Sequence, residues 1–175
     1  MKVVMYQQWH HLLFLHWKIE VEQLRSRIPK ELEIDTFEGD AFVGVVLFTM
    51  KGIRPRLLRK MPFAHAFHEF NLRTYVRNGD QTGVWFFSLD AANSLAVRAA
   101  RSFYSLPYHI ARMSVDCWDN AVRYESERIW PPPAPAKVTS NATFSGEAKM
   151  AEEGTLEHFL VERYKLFAER RGRIL

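Results

Sequence analysis

A single cysteine, Cys117, in a chain of 175 residues excludes an internal disulfide and a cysteine-built metal site, which fits a reducing cytoplasm. Long apolar runs are missing too. None approaches the roughly 20 residues that a membrane-spanning helix requires, so no membrane partner is expected. The opening MKVVMYQQWHHLLFLHWKIE has neither an unbroken apolar core nor a small-residue cleavage site, and no signal peptide is read there. Also absent are a Gly-rich phosphate loop, a GxSxG elbow, a kinase signature, an HExxH pair and any internal repeat. Charge of one sign is not in large excess: 24 basic against 20 acidic residues give +4, spread along the chain. Two basic clusters, RPRLLRK at 54–60 and ERRGRIL at 169–175, sit in no nucleic-acid reader motif. They read as solvated charge, and no nucleic-acid partner is expected.

What is present is a globular composition, with 47% hydrophobic and 14% aromatic residues. A chain of this length fits one domain that buries about 70% of the surface its unfolded form exposes. LLFLHWKI at 12–19 reads as a strand, and VEQLRSRIP as a helix ended by Pro29. Two strands, 32–37 and 41–50, flank a turn at Glu38, Gly39 and Asp40. The second, AFVGVVLFTM, is apolar on both faces, as in a sheet covered on both sides or curled into a barrel. Gly44 within it marks a bulge or a close backbone approach. KGIRPRLLRKMPFAHAF at 51–67 is a basic, Pro-punctuated connection, either a rim loop or an ordinary surface excursion.

The stretch 68–113 organises the rest. EFNLRTYV, the AsnGly at 78–79 and GVWFFSLD predict a hairpin. Alternation puts Glu69, Asn71, Arg73, Tyr75, Val84, Phe86, Ser88 and Asp90 on one face, and Phe70, Leu72, Thr74, Val76, Trp85, Phe87 and Leu89 on a core-facing side. The first face suits either solvent or the wall of a polar cavity, and composition favours solvent. A helix capped at Asp90 or Asn93 runs to about Phe103 and stops at SerLeuPro, 105–107. HIARMSVDCW and AVRYESERIW then form a hairpin about Asp119 and Asn120. Its register sets Asp116 opposite Arg123, Arg112 opposite Glu127, Val115 opposite Tyr124 and Cys117 opposite Val122. Met113, Val115 and Cys117 therefore point inward, and so do His109 and Ala111. PPPAPA at 131–136 is a stiff linker, followed by a strand over 138–150, a helix capped by Thr155 and a last strand RYKLFAE.

The histidines at 10, 11 and 16, and His65, His68 and Glu69, lack ligand spacing, so no metal is expected. Cys117 reads as a buried inert thiol. Glu69, Asn71 and Arg73 converge with Arg101, Tyr108 and His109, a set able to bind a small anion through Arg73 and to move a proton. The alternative is a structural polar network closing the end of a barrel, and composition alone leans that way.

EFNLRTYV, GVWFFSLDA, ARSFYSLPY and LEHFLVERY, with WHHLLFLHW and IPKELEIDTFEGDAFVGVV before them, resemble the YqjF-like family of uncharacterised bacterial proteins, related to acetoacetate decarboxylase. The resemblance implies an α+β fold with a mainly antiparallel, barrel-like sheet, short flanking helices and a site in the cavity. Decarboxylases carry Arg-Glu, then Gly, an aromatic residue and Pro, then two adjacent lysines, one of which forms a Schiff base. In RSFYSLPYH, Arg101 and Pro107 match, Ser102 replaces the Glu, and Tyr108 and His109 stand at the lysine positions. Without the amine no iminium forms, so Schiff-base decarboxylation is not expected. Family members continue past LFAERRGRIL, so the expectation is one domain over 1–175 lacking that C-terminal segment.

The resulting expectation is a cytoplasmic protein, without cofactor, that binds a small oxygenated or anionic molecule in a barrel cavity. His109 and Tyr108 would act in proton transfer, while Glu69, Asn71, Arg73 and Arg101 bind the ligand. The alternatives are a non-catalytic binding or sensing module, and an interaction protein using its aromatic surface or an exposed edge. A homo-oligomer is compatible with each.

Overall fold

A computed structural model describes residues 5–55, 66–132 and 136–175. The expected 51–67 connection is shorter than its composition suggested, because strand β3 (Ala41–Pro55) and strand β4 (Ala66–Asn78) extend into it. Most of the RPRLLRK cluster and His65 fall outside the described residues, as does the middle of PPPAPA. The opening strand β1 (Met5–Ile19) begins earlier than its apolar run and pairs antiparallel with β3. Helix α1 (Val21–Arg25) is a short turn held by Arg25, whose guanidinium donates to the carbonyls of Ile28, Pro29 and Leu32.

The segment expected as a strand over 32–37 reduces to β2 (Glu33–Ile34), which pairs with β4 and not with β3. The turn itself is as predicted: Phe37 bridges Asp40 across Glu38 and Gly39, both at positive φ (50° and 89°). Strands β4 and β5 (Gln81–Ala91) form the AsnGly hairpin with Asn78 opposite Gln81. Helix α2 (Ser94–Tyr104) leads to β6 (Tyr108–Trp118), which returns as β7 (Ala121–Trp130) and β8 (Lys137–Thr143). Helix α3 (Leu156–Val161) precedes β9 (Leu166–Phe167) and a terminal two-residue pair, β10 (Glu169–Arg170) and β11 (Arg173–Ile174). Among the described residues no helix is long and apolar enough to cross a membrane.

The main sheet runs β1-β3-β4-β5-β6-β7-β8. The expected mainly antiparallel sheet is in fact mixed. The α2 crossover sets β6 parallel to β5, and β9 joins β5 in parallel further along the same edge. Between those partners, from Phe86 to Ser88, that edge of β5 has no ladder partner among the described residues.

Leu47 and Phe70 of β3 and β4 share one core with Val122 and Tyr124 of β7. In a flat sheet β3 and β7 would lie roughly 19 Å apart, at about 4.8 Å per strand. The sheet is therefore curled into a half-barrel with this face concave. The convex face is roofed by two of the three short helices found among the described residues. Val97 of α2 packs with Val46, Phe48 and Ala91, and Leu160 of α3 packs with Phe42, Tyr75 and Val84. Such double cover explains why AFVGVVLFTM is apolar on both sides.

The β6–β7 register matches the predicted pairs, Asp116 opposite Arg123, Arg112 opposite Glu127, Val115 opposite Tyr124 and Cys117 opposite Val122. One inference from it fails. Cys117 is exposed although its partner Val122 is buried, because β5 pairs β6 only as far as Ile110 and leaves the outer edge of β6 bare at Cys117 among the described residues, whereas β8 flanks β7 at Val122.

Candidate functional site

Residues of β4 with odd numbers point to the convex face, and they are not solvated as composition suggested. Glu69, Asn71 and Arg73 are only 3%, 1% and 2% exposed, and Tyr75 is fully buried. The β5 side of this face also departs from simple alternation, because β5 carries a bulge. Leu72 pairs with Ser88 but Arg73 pairs with Phe86, leaving Phe87 as the extra residue. The inserted residue swaps the faces beyond it. Ser88 and Asp90 lie beside Leu72 and Phe70, whereas Leu89 and Ala91 lie beside Asn71 and Glu69.

At one end of the row, the Tyr108 hydroxyl donates to Glu69 Oε2 at 2.8 Å. Burial raises the Glu69 pKa from 4.5 to about 7, against hydrogen bonds from Tyr108 and Asn71 that favour the carboxylate. The Tyr108 phenol is pushed well up by its own burial and then by the Glu69 charge. Arg101, from the last turn of α2, donates to the main-chain carbonyl of Tyr108 at 2.6 Å and lies over the Trp130 ring. It holds the strand that carries Tyr108 and does not enter the row.

At the other end, Arg73 lies over the rings of Phe14 and Tyr75 and donates from Nη2 to the Leu160 carbonyl at 3.3 Å. No carboxylate of the described residues is within ion-pair distance of it. Its Nε and the Asn71 Oδ1 are buried without a hydrogen-bond partner. A buried guanidinium without a counter-charge is costly, and an incoming anion would relieve that cost.

Tyr75 also donates to the Leu160 carbonyl, at 2.8 Å, and its oxygen lies 2.7 Å from His16 Nε2. With its one proton so used, Tyr75 accepts from His16 Nε2–H. Burial, followed by the Arg73 charge, lowers the His16 pKa to about 4, so this ring is neutral at pH 7. Gly44 is the close approach anticipated in β3: a Cβ there would lie 3.1 Å from the His16 ring and 3.3 Å from the Tyr75 hydroxyl.

His109 is not brought into this row. As the strand neighbour of Tyr108 it faces the concave side, beside Asp90. Its Nδ1 lies 3.6 Å from Asp90 Oδ1, and that oxygen accepts from Arg128 Nε at 2.8 Å. Burial and then Arg128 lower the His109 pKa, so the charged pair is Asp90 with Arg128. Arg128 was missed, although the predicted register already set it opposite the inward Ala111. His16 and the Leu160 carbonyl carry no local motif that could have marked them. Near one sheet end His11 and His68 both approach the Thr49 hydroxyl, at 3.3 and 3.0 Å. No group of three or more metal-ligating side chains occurs among the described residues.

The family model DUF2071, described as an uncharacterized conserved protein, matches residues 6–175. The uncharacterized protein YqjF of Bacillus subtilis (strain 168) is 37% identical over 177 residues, which cover 98% of this chain and 70% of that one. Acetoacetate decarboxylase from Legionella pneumophila superposes with a TM-score of 0.55 at 11% identity, over 69% of this chain and 44% of the other. An acetoacetate decarboxylase-like enzyme from Sphingomonas wittichii RW1 gives 0.53 at 10%, over 82% and 74%. The enduracididine biosynthesis enzyme MppR complexed with pyruvate gives 0.60 at 9%, over 93% and 65%. The chain thus spans less than two thirds of the decarboxylase and of MppR, and at such identities the likeness concerns the fold alone. With its sequence matched from residue 6 to the end and its half-barrel shared with acetoacetate decarboxylase-like proteins, the chain belongs to the DUF2071 family.

Proposed function

We propose that this protein binds a small carboxylate on the convex face of β4 and exchanges a proton with it. Arg73 is the anion site, Glu69 carries the proton, and Asn71 and Tyr108 hold the Glu69 carboxyl by hydrogen bonds. The observation that supports this reading most is the buried, uncountered Arg73 guanidinium with its unpartnered Nε, on the same strand face as Asn71 and Glu69. Glu69 sits two positions beyond Asn71, and a carboxyl that titrates near pH 7 is suited to give and take a proton there. One structural neighbour, MppR, is known in complex with pyruvate, a ligand of the proposed class.

Schiff-base chemistry is not part of the proposal, because by the family resemblance Tyr108 and His109 stand at the two lysine positions of the decarboxylases and neither side chain can form an iminium. The step fitted to these residues is enolisation. Ionised Glu69 removes a proton from the carbon next to the ligand's carbonyl, the electron pair moves into the enolate, and the same proton or one from solvent returns. Arg73 holds the carboxylate meanwhile.

Incubation with pyruvate in D2O, followed by NMR of the methyl protons, tests this. The protein should accelerate deuterium uptake, Glu69→Gln should abolish the acceleration while keeping pyruvate affinity, and Arg73→Met should weaken affinity at least tenfold. Affinity without exchange in the wild type would leave a binding or sensing module. No affinity for pyruvate, acetate or acetoacetate would sink the reading.

A further inference from the structure

The row on the convex face of β4 is closed to solvent, since Glu69, Asn71, Arg73 and Tyr75 are all buried. A ligand reaches Arg73 only if part of the cover moves. The two covering helices differ in how they are held. Helix α2 is joined to β5 through residues 92–93 and to β6 through 105–107, is capped by Asn93, and is tied to Tyr108 by Arg101. Helix α3 is free on its leading side. Residues 144–150 before it are exposed and belong to neither helix nor strand, and Gly154, at φ 85°, stands just ahead of the Thr155 cap. On the trailing side the Lys165 carbonyl accepts from Val84 N and fixes the chain to β5. The less anchored element opens first, so α3 swings about its C-terminal end.

The hydrogen bonds from the sheet to α3 meet at one atom. The Leu160 carbonyl accepts from Arg73 Nη2 at 3.3 Å and from the Tyr75 hydroxyl at 2.8 Å. Just beyond the helix, Arg163 lies over the Phe159 and Tyr75 rings and stands 2.8 Å from Asp35, without the alignment of a hydrogen bond.

We propose that α3 is a lid over the Arg73 site and that the Leu160 carbonyl is its latch, lying where a carboxylate oxygen sits once the helix has lifted. The inference rests on Arg73 being the anion site. Exchange of one oxygen for the other favours the anion. A neutral carbonyl at 3.3 Å is a weak partner for a guanidinium, whereas a carboxylate closes to about 2.8 Å with roughly twice the strength. The carboxylate also accepts from the Tyr75 hydroxyl, whose oxygen keeps its bond from His16. Against this stand the Arg163–Asp35 pair and the packing of Phe159 and Leu160 on Phe42, Tyr75 and Val84. Because the anion binds only the lifted form, its affinity is reduced by the fraction of molecules that are open. Loosening the lid must then tighten binding, the reverse of what damage to a site does.

Amide exchange followed by NMR, with calorimetry of acetate binding, tests the lid. In the wild type, saturation with acetate should speed exchange roughly threefold or more at Phe159 and Glu162, whose amides bond within α3, and should not speed it at Val97 of α2. Asp35→Asn and Arg163→Met both unfasten the trailing pair, and each should tighten acetate binding roughly threefold or more. One raises the local positive charge and the other lowers it, so electrostatic attraction does not account for both. Acetate binding with α3 exchange unchanged or slowed, or tighter binding in Asp35→Asn alone, would overturn the lid and leave Arg73 as the anion site. The exchange measurement needs no variant and decides the matter if either one fails to fold. If acetate binds neither the wild type nor the variants, the reading of Arg73 fails first and the lid with it.

Discussion

Glu69 keeps its proton up to about pH 7 because ionising it would place a charge in a site that water does not reach. An acid with a higher pKa in the folded chain than its ordinary 4.5 binds more protons folded than unfolded. Its contribution to stability is then complete below about pH 4.5 and is lost as pH rises to 7 and beyond. The span corresponds to roughly 3 kcal/mol, at 1.36 kcal/mol per pKa unit. Glu69→Gln retains an acceptor for the Tyr108 hydroxyl and removes the titration. Urea unfolding measured from pH 5 to 8 should show the wild type losing stability relative to the variant across that range, by a few kcal/mol at pH 8. Parallel pH profiles would mean that Glu69 titrates as an ordinary surface carboxyl. That Glu69 titrates at all within the core could not be read from EFNLRTYV. Polar and apolar residues alternate there as in any half-solvated strand, and burial of the second face depends on α2 and α3, which are distant in sequence.

At the scale of elements, α2 does two things: it forces the parallel β5–β6 pairing and it brings Arg101 to the main chain of Tyr108. The helix is fixed at its start by Asn93, whose side chain accepts from Ala96 N at 3.0 Å. Asn93→Ala should cost about 1 kcal/mol and Asn93→Asp far less, both measured by thermal or urea unfolding at neutral pH. A loss no larger for Ala than for Asp would show that the cap does not hold the helix. The cap was legible as one of two candidates, Asp90 or Asn93, and the β6–β7 register and the AsnGly hairpin were legible outright, because each rests on residues near one another in the chain. The bulge at Phe87 was not legible. GVWFFSLD alternates no less regularly for containing it, and the inserted residue shows only when both partners are paired. Its effect is large, since it carries Asp90 to the side opposite Glu69.

Over the whole molecule the central sheet separates two buried polar groups. The convex side holds Glu69, Asn71, Arg73 and Tyr108 beneath α2 and α3. The concave side holds Asp90, Arg128 and His109, with the unpartnered hydroxyls of Tyr124 and Ser126 further along β7. In the sequence, Tyr108 and His109 join one candidate set, although the alternation from the β6–β7 hairpin turns only His109 inward. Adjacency in a strand means opposite faces, and a sheet covered on both sides makes that separation complete. The two neighbours therefore give a direct contrast. If the ligand sits on the convex side, Tyr108→Phe removes a donor from the Glu69 site and should slow proton exchange with pyruvate at least tenfold, with a modest change in affinity. His109→Ala removes a neutral ring from the far side of the sheet. It should leave both affinity and exchange within about twofold, and its cost should appear only as lost stability from the packing around Asp90 and Arg128. The opposite outcome, exchange lost with His109→Ala and kept with Tyr108→Phe, would move the site to the concave face and assign the proton transfer to His109. The two variants change neighbouring positions of one strand, so a general weakening of β6 would lower both together and would not reproduce either pattern.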